Sequence, residues 1–201
     1  DKDEQLKNLN QAAEHVQISQ KSETKFMGFV KRLKAAYDIC AGSDELTQQD
    51  RDYVHFYLAI RSIIFKLTKG EAPDTAQMNK KVAELIKDAL QSDGVEELFR
   101  LGDDKESSQD IFDEEYLTKI KKIKLPNTKL KLLQKLLEKA IDEIKKVNKI
   151  KGIDFSKKME SVVNKYNERK EEDILRSEVY EEIADELTEM ILSIRDEFNS
   201  G

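Results

Sequence analysis

The chain has 201 residues, 35 Lys and Arg against 41 Asp and Glu, and a formal net charge of −6. That length can bury a real core, as one large or two small domains. No run of about 18 apolar residues is present and no signal peptide is recognisable, so neither a membrane span nor secretion is expected; a cytoplasmic location is. Two Pro and seven Gly are few and favour long helices over a strand-and-turn fold. The single cysteine, Cys40, cannot form an internal disulfide and is expected as a buried, reduced thiol among apolar helix positions.

Residues 1–22 are polar, with a weak helical pattern through Leu6, Leu9 and Ala13. Phe26, Phe29, Val30, Leu33, Ala36, Tyr37 and Cys40 recur at i, i+3, i+4, i+7, which predicts an amphipathic helix ended by Gly42. A second runs from about Gln48 to Leu67, with Tyr53, Phe56, Tyr57, Ile60, Ile63, Ile64 and Leu67 on its inner face. A third, capped by Asp74 or Thr75, reaches Leu90. The polar stretch SDGVEELFRLGDDKESSQD is the best candidate linker, and a fourth helix covers about Asp113 to Ile123 before Pro126 breaks the chain.

The fifth helix, over Asn127–Lys151, carries eight Lys against three acids. Leu130, Leu133, Leu137, Ala140, Ile141, Ile144 and Val147 form its apolar stripe, and Gly152 is expected to end it. A last segment begins at Asp154 or Ser156 and runs nearly to Phe198, interrupted by the charged NERKEED. No period-2 strand of convincing length appears. The expectation is an all-α, multi-helix bundle of long amphipathic helices without a sheet. Residues 1–110 form one helical portion and 111–201 a basic C-terminal portion, packed as one domain.

Charge is segregated. Lys119 to Lys170 hold 17 basic and six acidic residues, a net of +11, which leaves −17 for the remainder. Such asymmetry suggests an electrostatic partner. The candidate contact residues are Lys119, Lys121, Lys122, Lys124, Lys129, Lys131, Lys135, Lys139, Lys145, Lys146, Lys149, Lys151, Lys157, Lys158, Lys165 and Arg169. No aromatic residue lies between Tyr116 and Phe155, which disfavours single-strand stacking. The fifth helix has no Arg, the usual reader of guanine. Duplex DNA would therefore be touched through its phosphates by charge alone; an acidic protein surface would serve equally.

The residues for catalysis are missing. Asp74 with Asp103 to Lys105 fits a loose metal-nuclease pattern, but on a helix cap and a polar connector rather than on strands. Asp52 and His55 are spaced i, i+3, yet the only other histidine, His15, has no matching partner. Glu181, Glu182, Asp185, Glu186 and Glu189 read as a solvated helix face. No phosphate-cradling loop and no nucleophile–base–acid set is present. No cofactor or metal is expected in this chain.

From Asn127 onward the sequence resembles the C-terminal helical region of the motor (R) subunit of type I restriction–modification enzymes. The residues that carry this are Asn127, Leu130, Leu132, Leu133, Lys135, Leu136, Leu137, Ile141, Lys146, Asn148 and Ile150, continued by Phe155-Ser156, Glu160, Tyr166 and Arg169. Weaker likenesses include Phe26 to Tyr37, Phe56 with Arg61, and SSQDIFDEEYL. Lys139-Ala140, Asp142, Ile144 and Val147 depart from the family's pattern. The resemblance implies a non-catalytic tail that docks the motor on a methyltransferase–specificity core. It places ATP, magnesium, DNA translocation and cleavage in other domains of a longer parent. A start at Asp1 rather than Met agrees with such a piece. The alternatives are a free-standing helical nucleic-acid-binding protein and a coiled-coil interaction protein.

Overall fold

In a computed structural model of the chain, residues 2–69, 80–92, 114–169 and 177–200 are described, together with Val95 and Phe112. These residues form eight α-helices and no strand, the all-α fold that the apolar spacing requires. The helices are α1 (Lys2–Val16), α2 (Gln20–Cys40), α3 (Gln48–Lys69), α4 (Lys80–Ser92), α5 (Glu114–Lys121), α6 (Pro126–Val147), α7 (Lys149–Asn167) and α8 (Ser177–Ser200). They fall into two compact units, Asp1–Glu96 and Glu97–Gly201. Asp74, Thr75, Asp103 to Lys105 and most of the candidate linker lie outside the described residues.

In the first unit α3 packs against α1, α2 and α4. Residues 58–64 of α3 are all buried, so the middle of this helix is enclosed on every side. The weakly patterned first helix is a full partner, with Leu6, Leu9 and Ala13 in the core, and the Asn10 side-chain amide donates to the Ala89 carbonyl of α4 at 2.8 Å. Nearer its start α3 is covered by α2, through a cluster of Val30, Val54 and Leu58 edged by Phe26, Leu33 and Tyr37. Tyr53, Tyr57 and Phe29, expected on inner faces, are therefore exposed. So is Cys40. Cover from α3 reaches α2 only as far as Tyr37, whose ring meets His55 edge-on at 5.8 Å.

Local polar groups fix the helix ends in this unit. Ser19 caps α2 by accepting from the Ser22 amide at 3.1 Å, one of the donors a helix start leaves without a partner. The chain reverses over Ala41–Ser43, and Arg51 donates to the Ala41 and Ser43 carbonyls at 2.7 and 3.0 Å. At the start of α3, Thr47 and Asp50 satisfy each other reciprocally: the Asp50 amide donates to Thr47 Oγ1 at 3.1 Å and the Thr47 amide to the Asp50 carboxylate at 3.0 Å. The Thr47 hydroxyl and amide hold the Asp50 carboxyl below its ordinary value.

The second unit is organised by α6, which packs against α5, α7 and α8. Pro126 sits in its first turn, where a missing N–H does no harm. Leu130, Leu132, Leu133, Leu136, Leu137, Ala140, Ile141 and Ile144 are buried, an arc of roughly 180° at 100° per residue. This is wider than the single predicted stripe, because three helices rather than one cover it. Val147 does not belong to it and is exposed.

Between α6 and α7 the break falls at Asn148, which leaves helical geometry at φ −140° and ψ 94°. Its amide donates to the Ile144 carbonyl at 2.7 Å, closing α6, and its side chain accepts from the Lys151 amide at 3.1 Å, opening α7. The predicted stop at Gly152 is thus corrected. Gly152 lies inside α7, buried, and a Cβ there would stand 2.3 Å from Lys145 Cγ and 3.0 Å from Lys145 Cα. The residue is needed for close approach of two helices rather than for termination. The last predicted segment accordingly starts earlier, at Lys149, and α8 begins at Ser177.

Gly152→Ala sets two effects against each other. Helix propensity favours Ala by about 1 kcal/mol, whereas overpacking against a neighbouring backbone costs about 1–3 kcal/mol. The second effect wins here, because the backbone at Lys145 is fixed by α6. A fall in melting temperature of about 2–4 °C is expected by calorimetry; an unchanged or raised midpoint would show that the helices separate freely.

Candidate interaction surface

Because α6 is buried over so wide an arc, its lysines are confined to what remains. Lys131, Lys135 and Lys139 follow one another at i, i+4 along that strip, each half-buried, and Lys146 continues it, exposed. Like charges one turn apart repel by a few tenths of a kcal/mol per pair. Towards the end of the helix Lys145 lies 3.5 Å from Asp142 and Lys146 2.6 Å from Glu143. Lys129 is half-buried near the start of the helix.

Part of the basic run is neutralised inside its own unit. Helix α8 carries eight acidic residues against Arg195 alone and packs on both α6 and α7. Lys151 pairs with Glu197, and Lys165 with Glu186 at 3.1 Å, so α7 and α8 run antiparallel with opposite charge. Arg195 reaches Glu114 of α5 at 2.9 Å, beside a Phe112–Phe198 ring contact at 5.3 Å. Lys119 is held by Glu115 at 3.3 Å. Exposed pairs of this kind are worth about 0–1 kcal/mol each. Their effect is on where positive charge remains, more than on stability.

Two groups of exposed lysines stand out. Lys121, Lys122 and Lys124 cluster between α5 and α6, all exposed, and no carboxylate among the described residues lies within ion-pair distance of them. The second is at the corner between α6 and α7. Val147 is 72% exposed, Ile150 75% and Ile153 42%, with Lys146, Lys149 and Lys157 exposed around them. Ile150, Ile153 and Lys157 are spaced to share a face of α7. Lys158 lies 5.6 Å from the Phe155 ring centre.

Sequence reasoning placed Arg169 with the contact residues and missed what it joins. The Tyr166 hydroxyl donates to the Asn127 side-chain carbonyl, both residues buried. The Arg169 guanidinium sits 3.8 Å from the Tyr166 ring centre and 5.0 Å from that of Tyr180, and donates to the Tyr166 carbonyl at 2.7 Å. One cluster thus ties the start of α6 to the end of α7 and the start of α8. The signal was present as Asn127, Tyr166 and Arg169 among the resemblance residues, but spacing across two helices does not reveal a contact.

The remaining candidates are quiet. His55 packs on Tyr37 and His15 is exposed. Among the described residues no group of three or more His, Cys, Asp or Glu is placed to hold a metal ion. No described helix is long and apolar enough to cross a membrane.

A family model for the C-terminal domain of type I restriction enzyme HindI endonuclease subunit-like proteins matches residues 1–201. The chain belongs to this family. No curated protein and no solved structure matches it. Within the family domain, the Asn127–Tyr166–Arg169 cluster and the Asn148 cap are structural, whereas the lysine-rimmed corner at Val147, Ile150 and Ile153 makes no such contribution to the core.

Tyr166→Phe deprives a buried amide carbonyl of its donor and should cost about 1–3 kcal/mol in chemical denaturation. Adding Asn127→Leu should cost less than the sum of the two single changes, because the pair is then removed together. Additive losses would mean that the two side chains act separately.

Proposed function

We propose that this chain is the non-catalytic helical assembly module at the C-terminal end of a type I restriction endonuclease subunit, working in the cytoplasm. It docks that subunit, the motor, on a methyltransferase–specificity core. The observation that carries the reading is the corner between α6 and α7. Three aliphatic side chains are exposed there within seven residues, with Lys146, Lys149 and Lys157 exposed beside them in the sequence. An exposed apolar group rimmed by charge is how a protein–protein contact is built: the centre supplies affinity, the rim register and rate. Catalysis, with its ATP and magnesium, is assigned to other domains of the subunit. This sequence carries neither a phosphate-cradling loop nor a metal-ligand spacing.

A second reading, contact with the DNA backbone, is favoured by one feature, the exposed group Lys121, Lys122 and Lys124. Phosphates release counterions when lysines replace them, so this contact would weaken steeply with salt, and sequence would not matter.

Lys149→Glu with Ile150→Asp tests the docking reading. Both side chains are exposed, so circular dichroism should not change. Affinity of the full subunit for the methyltransferase–specificity core should fall at least about tenfold in a titration. Unchanged affinity with intact helicity would remove the corner from the interface. Charge reversal at Lys121, Lys122 and Lys124 should leave that affinity in place.

A further inference from the structure

Helix α2 has two faces, and only one is used. Phe26, Val30, Leu33 and Tyr37 turn to α3. Of its 21 residues Val30 alone is buried. A second stripe, Lys21, Lys25, Phe29, Arg32, Ala36 and Ile39, follows the 3.6 period along a neighbouring face. All six are exposed, Phe29 by 53% and Ile39 by 85%. Phe29, Ala36 and Ile39 stand at i, i+7 and i+10, the spacing with which a helix anchors itself in a groove.

The charge along this stripe is one-sided. Arg32 lies 4.7 Å and Lys25 5.9 Å from the Phe29 ring centre. Neither they nor Lys21 has a carboxylate within ion-pair distance among the described residues. The acids of α2 are elsewhere: Glu23 and Asp38 lie off the stripe, Asp38 held by Lys34 at 2.7 Å. Tyr53 and Tyr57 of α3 are also exposed, and Tyr57 meets Phe26, on the α3-facing side of α2, at 6.4 Å. A fitting surface has an aliphatic or aromatic centre and carboxylates at its rim. Single-stranded nucleic acid fits less well: it would stack on the rings, but it has no use for Ile39, the most exposed of the large apolar side chains.

We infer that this second face of α2 seats the domain against the part of its own endonuclease subunit that precedes it. The inference rests on the assembly reading above. The family is the C-terminal domain of an endonuclease subunit, so members carry further chain ahead of it, and α2 belongs to the unit nearest that chain. The α2 stripe then contacts the motor, and the α6–α7 corner contacts the core.

The test is photo-crosslinking in the full-length subunit, assembled with the methyltransferase–specificity core and DNA. Phe29→p-benzoylphenylalanine and Ile39→p-benzoylphenylalanine place the probe on the stripe, and Ile150→p-benzoylphenylalanine places it on the corner. Mass spectrometry of the stripe variants should show crosslinks within the subunit, to peptides ahead of this domain and rich in Asp and Glu. Adding Lys25→Glu with Arg32→Glu should lower the Ile39 yield about tenfold, because like charges then meet. Crosslinks from the stripe to another subunit or to DNA, or none outside this domain, would overturn the inference. The corner variant reports separately on the assembly reading. Its crosslinks to the core keep that reading alive even when the stripe fails.

Discussion

The width of the buried arc on α6 constrains everything else in the second unit. Eight aliphatic side chains from Leu130 to Ile144 occupy about half of its circumference, and α5, α7 and α8 all pack against it. A helix enclosed in this way cannot continue straight once its neighbours end. At Asn148 the chain turns, using one side chain both to close α6 and to open α7. Gly152 then lets α7 lie directly on Lys145. The same width drives the lysines onto a narrow strip and out to the two ends of α6. The exposed corner is a consequence of how the core is built.

Electrostatics then selects among those lysines. A basic run in an acidic chain invites the thought that the whole run binds something external. Part of it is instead opposed by the acidic α8, through Lys151 with Glu197 and Lys165 with Glu186. What survives is local: one group between α5 and α6, and one around Val147, Ile150 and Ile153. Aliphatic exposure is found beside only one of these groups. The corner is accordingly the better protein contact and the Lys121–Lys124 group the better phosphate contact.

Much of this was legible in the residues. The fold class, five of the helices and the core positions Leu130, Leu133, Leu137, Ala140, Ile141 and Ile144 follow from 3.6-residue spacing, and Pro126 marked the start of α6 correctly. Two kinds of error have physical causes. Periodicity reports which residues are apolar but not how many neighbours exist to cover them. Phe29, Tyr53, Tyr57, Cys40 and Val147 therefore read as inward although they are exposed. A glycine, likewise, reads equally as a stop and as a point of close approach; Gly152 is the second. Contacts across helices, such as Asn127 with Tyr166 and Arg169 with Tyr180, were invisible, because pairing depends on packing angles that no single segment contains. The opposite charge of α8 was visible in composition, but its position was not.

The docking role of the α6–α7 corner is tested most directly by hydrogen exchange of the full endonuclease subunit, with and without the methyltransferase–specificity core and without DNA. The account predicts slower exchange over residues 146–157 when the core is present, with the Lys121–Lys124 group unchanged. Unaltered exchange across 146–157 in a complex that has demonstrably formed would contradict it.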